Sequence, residues 1–293
     1  MNGSRIDLLM QIDEQWLPEL MEILQRGPKV SAGERPKVEA SVRGGGNGNK
    51  QTGIAVMRIR GPLTHGFSWW ATSYTDIAAE LEILANDSSV GAIILHVESP
   101  GGSAFGSSEL SRKIYELRSV KRIVALADPY MFSAAYHIGS AAEALYVTPS
   151  GMVGSVGAFA MHVDYSDKLK QDGIAVTFVQ AGEKKTDGNP YEPLSERARH
   201  DLQTEVDSFY RMFVEDVARN RGVSVEHVKE SFGQGGRVLA DDALRVGMVD
   251  GIITLEDLLQ SELASLHSSQ ARTAAASYMQ REKLLLEIEE LER

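Results

Sequence analysis

Apolar and polar positions alternate between two periods along residues 53–142. The short apolar runs GIAVMRI, GAIILHVES and RIVALAD have the length and the β-branched content of buried strands. The segments YTDIAAELEILAND and FGSSELSRKIYELRS carry apolar residues at three- and four-residue spacing, which predicts helices, and DPYMFSAAYHIGSAA adds a further helix. Strands and helices that alternate at this spacing predict βαβ units around a mainly parallel sheet, and therefore an α/β fold.

The pattern continues beyond these units to about residue 260. YSDKLKQDG predicts a helix and IAVTFVQAG a strand, and the segment that starts with LSERARHDL predicts a long helix. Residues 223–260 form a compact helix-rich cap on this scheme. We therefore place one large domain over residues 53–260.

The two ends of the chain have a different pattern. Residues 1–26 predict an amphipathic helix, with an apolar stripe at Leu9, Ile12, Trp16, Leu20 and Leu24. Residues 27–52 are rich in Gly, Pro, Lys and Asn, which is typical of a flexible linker or a processing region. Residues 261–293 predict a helical tail without a C-cap, as expected of a self-association element or of a longer parent chain.

Composition narrows the chemistry that this chain can perform. The 293 residues contain no cysteine, which excludes thiol nucleophiles, zinc–thiolate sites and disulfides. A net charge of −11 argues against a general nucleic-acid binder, which needs a basic face for phosphates. The sequence has neither a signal-peptide pattern nor about 18 consecutive apolar residues, so we expect a soluble protein without a membrane partner, more easily placed in the cytosol.

The glycine pair in ESPGGSAFGSSEL, residues 98–110, follows an apolar strand and precedes a helix. Glycines at such a junction let the backbone turn sharply and present bare N–H groups near a helix N-terminus. These N–H groups can hold a phosphate or an oxyanion. A tight strand-to-helix turn with no ligand explains the same residues.

Ser133 lies at the expected start of a helix, among alanines. Serine is a common N-cap, so one interpretation is helix punctuation, and the other is a nucleophile. His137 shares a helical face with Ser133, but side chains placed side by side along one helix are poorly arranged for proton transfer. The G-x-S-x-G nucleophile elbow is also absent, because Met131 and Ala135 occupy its glycine positions. A Ser–His–Asp triad is therefore disfavoured.

Lys184 and Lys185 provide an alternative base, in VQAGEKKTDGNPYEPLSE. Adjacent lysines on a loop are usually solvated. A lysine replaces histidine as a base only when it is neutral, and burial disfavours the ammonium form. A Ser–Lys pair therefore requires one of these lysines to point inward, and spacing alone does not choose between them.

Four segments together resemble the signal peptide peptidase A family of serine peptidases, in its phage prohead (capsid maturation) protease branch. The segments are SPGG at 99–102, FSAAYHIGSAA at 132–142, GSVGAF at 154–159 and GEKKTDGNPYEPLSE at 182–196. The resemblance implies a ClpP/crotonase-like fold of stacked βαβ units, here with helical appendages at both ends. It covers roughly the central part of the chain, and the DGNPYEPLS stretch favours the phage branch.

The resemblance also implies roles for individual residues. Ser133 matches the nucleophile, Lys185 matches the general base, and Ser155 matches a serine that orients the lysine amine. The backbone N–H groups of Gly102 and Ala134 match the oxyanion hole. Family members often have Gly-Gly after the nucleophile, where this chain has two alanines.

We therefore expect a serine endopeptidase with a Ser-Lys dyad that needs no metal, nucleotide or other cofactor. By resemblance, its substrates are scaffold and capsid-associated proteins inside the phage prohead in the host cytoplasm, and its own terminal segments are accessible to cleavage. A homo-oligomeric ring is implied as well. Two alternatives stay open: a crotonase-type acyl-CoA enzyme, which needs an acidic pocket residue and a CoA surface, and a non-catalytic head-assembly scaffold module.

Overall fold

The computed structural model describes residues 9–12, 18, 21–22, 39–43, 52–66, 68, 70–268 and 279–280. The strands are β1 Leu9–Ile12, β2 Glu39–Arg43, β3 Gly53–Arg60, β4 Leu63–Thr64, β5 Thr72–Ser73, β6 Val90–Ser99, β7 Gly101–Ser103, β8 Arg122–Phe132, β9 Ala144–Val147, β10 Met152–Gly154, β11 Phe159–Ala160, β12 Arg237–Leu239 and β13 Gly251–Ile252. The helices are α1 Tyr74–Asn86, α2 Ser107–Leu117, α3 Ala134–Gly139, α4 Ser166–Gln171, α5 Glu196–Arg221, α6 Val225–Ser231, α7 Ala240–Val246 and α8 over residues 255–268.

The main sheet is parallel at its centre, as the βαβ pattern predicts. Its order is β12-β10-β8-β6-β3-β2, with β10, β8, β6 and β3 parallel and the outer strands β12 and β2 antiparallel. Strand β9 pairs with β8 and with β13. The central strands are buried on both faces, which explains why their sequences are continuous apolar runs and not an alternating pattern.

Helices cover both faces of this sheet. The larger apolar core lies against α1, α2, α3 and α5, with Tyr136 and Phe213 among its fully buried side chains. The smaller core lies on the opposite face, where Leu258 of α8 packs on Ile94 and Leu126. The described chain is thus a mixed α/β fold with a parallel-rich sheet, and its fold class is confirmed at that level.

The register of the central strands sets the positions of the loops that follow them. Ser99 of β6 pairs with Met131 of β8, and Phe132 pairs with Gly154 of β10. Parallel strands end at the same edge of a sheet, so the turns after β6, β8 and β10 meet there. The candidate residues 102, 133, 134 and 155 all follow these strand ends.

A second, smaller sheet lies beside these turns. Its order is β11-β1-β7-β4-β5. Strand β1 pairs antiparallel with β7 on one side and with β11 on the other. This position brings the beginning of the chain to the candidate site.

The structure corrects two expectations for the first 52 residues. Residues 1–26 were expected to be helical, but Leu9–Ile12 form β1, because the edges of β7 and β11 supply hydrogen-bonding partners that local helical periodicity does not. Residues 27–52 were expected to be a linker, but Glu39–Arg43 pair with β3. Residues 18, 21 and 22 are helical, and Trp16, Leu20 and Leu24 lie outside the described residues.

Two expectations at the other end are also corrected. The strand predicted in IAVTFVQAG does not form, because residues 174–180 find no partner strand in the described chain, and Val179 is 99% exposed. The predicted domain boundary at 260 falls inside α8, whose Glu262 is 3% exposed and binds Arg122. The packed domain therefore extends to residue 268. The rest of the predicted tail lies outside the described residues, except for the helical residues 279 and 280.

Among the described residues, no helix has both the length and the apolar character needed to cross a membrane.

Candidate active site

Ser133 occupies an unusual backbone position between β8 and α3. It is the N-cap residue of α3, with φ 52° and ψ −120°, and it is 1% exposed. A positive φ is strained for a residue with a Cβ atom, and such residues concentrate at functional sites. Its hydroxyl makes no hydrogen bond with any described residue, so the oxygen is available for chemistry.

Three other serines show what a capping serine does in this chain. Ser73, Ser195 and Ser224 are N-caps with extended backbones, and each side chain accepts a hydrogen bond from an amide of the first helical turn. Ser133 accepts no such bond. Helix punctuation therefore does not explain Ser133, which favours the nucleophile interpretation.

Ser155 lies beside Ser133 at the end of the neighbouring strand. The amide of Ser133 donates a hydrogen bond to the carbonyl of Gly154 at 2.8 Å, and the amide of Ser155 donates to the carbonyl of Gly236 at 2.7 Å. Ser155 has φ 55° and is 7% exposed. These backbone bonds hold the two serines at adjacent strand ends.

Gly102 and Ala134 approach the same edge from two elements that pack together, β7 and α3. A Cβ atom at Gly102 would lie 1.9 Å from the carbonyl oxygen of Leu63, so only glycine fits this close passage of two backbones. Ala134 is the first residue of α3, and the N–H groups of a first helical turn have no partner within the helix. Such amides can stabilise an oxyanion.

Lys184 and Lys185 differ clearly in their surroundings, although both are exposed in the single chain. The Lys184 ammonium donates to Asp201 at 2.5 Å and lowers the pKa of that carboxylate. In the described part of the chain, the ammonium of Lys185 contacts no carboxylate or other polar partner. Arg197 fixes the same loop by two bonds to Asp187, at 2.8 and 2.9 Å. Of the two lysines, Lys185 is therefore the one whose amine is not in an ion pair with a described residue. In the single chain this amine is exposed and is not bonded to Ser133.

His137 belongs to a buried polar cluster instead of a catalytic pair. Its Nε2 lies 2.9 Å from Asp216, and its ring stacks on Phe213 with centroids 4.5 Å apart. Ser108 also donates to Asp216, and Arg219 pairs with the second carboxylate oxygen. Burial lowers the pKa of His137, which corresponds to a neutral imidazole donating to an ionised carboxylate.

The contact between His137 and Ser133 is a main-chain one. The His137 amide donates to the Ser133 carbonyl at 2.8 Å, which is the ordinary bond of a first helical turn. The imidazole is directed to Asp216 instead of the serine hydroxyl. The expectation that these two side chains do not form a catalytic pair agrees with this geometry.

Sequence reasoning missed the His137–Asp216 cluster, because Asp216 is 79 residues away in the chain and the helical pattern of α5 gives no sign of a buried acid. It also missed β1, because apolar spacing in residues 9–12 fits a helix. The only signal for β1 is structural, namely two strand edges that face each other. Next to β7, a groove of about 520 Å³ is lined by aromatic, apolar and charged side chains, among them Phe105, Phe209, Met212, Glu109 and Arg112.

A parallel-rich α/β sheet with a strained, buried serine at a strand–helix junction, flanked by candidate oxyanion amides, is an arrangement suited to a serine hydrolase. The chain belongs to peptidase family S49, whose family model matches residues 115–268. The match contains Ser133, Ser155 and Lys185, whereas Gly102 precedes it. Membership of a peptidase family does not favour the acyl-CoA alternative.

Several known proteins are similar to this chain. It is 33% identical over 222 residues to the head-tail preconnector protein GP5 of Enterobacteria phage P21, which covers 74% of this chain and 44% of that protein. It is 30% identical over 225 residues to the capsid assembly protease C of Escherichia phage lambda, with coverages of 75% and 51%. A putative protease of Methanocaldococcus jannaschii is 33% identical over 180 residues, with coverages of 61% and 58%. The chain thus spans about half the length of the curated relatives it matches.

Among solved structures, a mutant form of the 1510-N membrane-bound stomatin-specific protease aligns with 72% of this chain and 84% of its own, at a TM-score of 0.47 and 14% identity.

Proposed function

We propose that this chain is a serine endopeptidase in which Ser133 is the nucleophile and Lys185 the general base, on a ClpP/crotonase-like fold. The observation that carries the proposal is the state of Ser133, which is buried, strained and without a capping hydrogen bond. Membership of family S49 supports it.

In the proposed reaction, neutral Lys185 takes the proton of Ser133 while the serine oxygen attacks a peptide carbonyl carbon. The N–H groups of Gly102 and Ala134 donate to the oxyanion that forms. The C–N bond then breaks, and the Lys185 ammonium gives its proton to the leaving amine. Water attacks the acyl-enzyme with Lys185 again as the base, which releases the acid and restores Ser133. Ser155 holds the lysine amine in position.

The substrate is an extended peptide segment, because the edges of β7 and β11, which hold strand β1 in this structure, pair with the main chain of a strand beside Gly102. Similarity to the lambda capsid assembly protease supports capsid and scaffold proteins as the proteins cut, within the phage head. The shared length with that relative is about half of it, so these partners belong to the proposal.

A homo-oligomer completes the proposed site, because Lys185 is exposed in the single chain and its amine must be shielded from water to become neutral. The segment that leads to Lys185 exposes Ile174, Val176 and Val179, at 52%, 42% and 99%. Exposed apolar clusters of this kind mark protein interfaces. We propose that a second copy covers this segment and so buries the amine.

The test is labelling with a fluorophosphonate, followed by peptide mapping. We expect a single adduct on Ser133, no adduct in Ser133→Ala, and loss of peptide hydrolysis in the same variant. Undiminished hydrolysis by folded Ser133→Ala would overturn the assignment of the nucleophile.

A further inference from the structure

Strand β1 lies between the two strand edges that flank the candidate site. Met10 is paired with Ser103, Gln11 with Gly102 and Ile12 with Gly101 of β7. On the other side, Leu9 is paired with Ala160 and Met10 with Phe159 of β11. Both pairings are antiparallel, so four residues of this chain form the central strand of a three-stranded arrangement.

The edges of β7 and β11 lie close in the chain to residues proposed for catalysis. Strand β7 contains Gly102, a proposed oxyanion donor, and β11 begins four residues after Ser155. A backbone held between them passes directly along the site. The register places Gln11 opposite Gly102. If the Gly102 amide is an oxyanion donor, as proposed, a substrate residue beside the scissile bond would lie at this position.

We propose that residues 9–12 occupy the cleft that a substrate peptide needs, so the chain's own N-terminal segment is a competing ligand of the site. This inference rests on the proposed function for its effect on catalysis, but the occupancy itself does not. A substrate strand must displace β1, because the main-chain groups of both edges are already paired with β1.

Covalent attachment makes such a competitor effective. A ligand that is covalently joined to its site is present at an effective concentration on the order of millimolar. A separate peptide with comparable main-chain contacts therefore competes poorly at micromolar concentration. Release of β1 raises the apparent affinity for substrate without changing the catalytic groups, so it lowers KM and leaves kcat in place.

Disulfide trapping tests the occupancy, and the absence of native cysteine makes the experiment clean. Met10 and Ser103 are directly opposite in an antiparallel pair, so their Cα atoms lie about 4.5–5.5 Å apart, within the range of a disulfide. The variant Met10→Cys/Ser103→Cys should form an intramolecular disulfide on mild oxidation, seen by peptide mapping. The control Met10→Cys/Ser119→Cys, with Ser119 exposed in the turn after α2, should not.

Three results would overturn the inference. Crosslinking no greater than in the control rejects the placement, whether or not the chain is a peptidase. A disulfide-linked dimer shows that the strand comes from another copy. Fluorophosphonate labelling of Ser133 that is equal in the oxidised and reduced variant rejects competition, since we expect oxidation to reduce the labelling rate at least tenfold and reductant to restore it.

A binding measurement separates this inference from the proposed function. In a Ser133→Ala background, which cannot cleave, a fluorescein-labelled peptide with the sequence of residues 5–16 is titrated against Met10→Pro and Met10→Ala. Proline removes an N–H and breaks strand pairing, whereas alanine keeps it. We expect about tenfold tighter binding to the proline variant. Equal affinities, or no binding to either, would overturn the inference even if Ser133 proves to be the nucleophile.

Discussion

Ser133 and Ser155 stand in matched positions, each one residue beyond a pair of aligned strand ends. Phe132 is paired with Gly154 in the parallel pairing of β8 with β10, and the Ser133 amide donates to the Gly154 carbonyl. Both serines have a positive φ, 52° and 55°. The sheet, rather than a flexible loop, therefore fixes the separation of the two proposed catalytic side chains.

Removal of the Ser133 hydroxyl should abolish activity without loss of a helix cap. Ser133→Ala removes no capping hydrogen bond, so its free energy of unfolding should not fall by the roughly 1 kcal/mol that the loss of a cap costs. Ser224→Ala removes the bond to the His227 amide and should lose about 1 kcal/mol while keeping full activity. Denaturant unfolding and peptide hydrolysis measure both. A stability loss of about 1 kcal/mol in Ser133→Ala would show that the serine is structural.

A methyl group at Gly102 should inactivate the site. The added Cβ would lie 1.9 Å from the Leu63 carbonyl oxygen, so β7 must shift and carry the proposed oxyanion N–H out of place. Loss of one oxyanion donor typically lowers kcat by about 100- to 1000-fold. Gly66→Ala is the matched control, since its Cβ would meet nothing within 4 Å. Wild-type kcat in Gly102→Ala, with an unchanged circular dichroism spectrum, would contradict the prediction.

The two adjacent lysines should respond differently to substitution. Lys185→Ala should lower activity at least 100-fold, as expected for loss of a general base. Lys184→Ala breaks only the exposed pair with Asp201 and should leave activity and stability nearly unchanged, because solvent screens such a pair. Steady-state hydrolysis and thermal unfolding distinguish the variants, and the reverse pattern would assign the base to Lys184.

Mixing two inactive variants tests whether the proposed dyad spans two copies. If Lys185 of one copy serves Ser133 of another, a mixture of Ser133→Ala and Lys185→Ala regains activity after co-refolding, because some interfaces combine both intact groups. Each variant alone should stay inactive. An inactive mixture at every ratio, in assemblies of wild-type size, would place both dyad residues in one copy.

The pair of Glu262 with Arg122 should contribute far more to the stability of the fold than the exposed pair of Glu143 with the same arginine. Arg122 makes bonds of 2.7 and 2.8 Å to the two Glu262 oxygens, and the Glu262 side chain is 4% exposed. Glu262→Ala should lose about 3 kcal/mol, because it leaves a partly buried guanidinium without its main partner. Glu143→Ala, which removes a 43% exposed partner of the same arginine, should lose less than about 1 kcal/mol. Equal losses in urea unfolding would contradict the extension of the domain to residue 268.

Acid should destabilise the fold through the His137–Asp216 cluster. Burial holds the pKa of His137 below its usual value of about 6.5. As the pH drops below that value, the unfolded chain binds a proton at this histidine that the folded chain does not bind, so the stability of the fold decreases. The His137 and Ser108 hydrogen bonds hold the pKa of Asp216 below about 3.9, so a further loss follows as pH falls through the folded pKa. Melting temperatures between pH 7 and 2 measure both effects, and His137→Gln should flatten the part of the curve between pH 7 and 4. An unchanged slope would show that other groups dominate.

The sequence predicted the parts of the fold whose pattern is local. The alternation from β3 to α3 follows from apolar runs and helical spacing, and each of those elements is present. Local periodicity contains no information about partner strands that are distant in the chain. Leu9–Ile12 form a strand because such partners are present, whereas residues 174–180 do not because none is present in the described chain. The same holds for α8, which continues past residue 260 and there binds Arg122, 140 residues away in the chain, through Glu262.

The candidate site was predictable only where residue type and family resemblance coincide. Ser133, Ser155 and Gly102 meet at one sheet edge, as parallel strand ends require. The surroundings of Lys185 were not predictable, because residue type does not distinguish the shielded amine that the resemblance implies from the exposed one in this structure.

If the cleft between β7 and β11 binds the substrate, as proposed, its two strand edges also limit which proteins can be cut. Both of its edges pair with the main chain of one strand, which matches an extended segment and not a hairpin or a helix. The backbone groups of a folded subunit are already hydrogen-bonded within that subunit, so it has no free strand to pair with this cleft. A peptidase with such a cleft would cut tails, hinges and unstructured segments and leave folded domains intact.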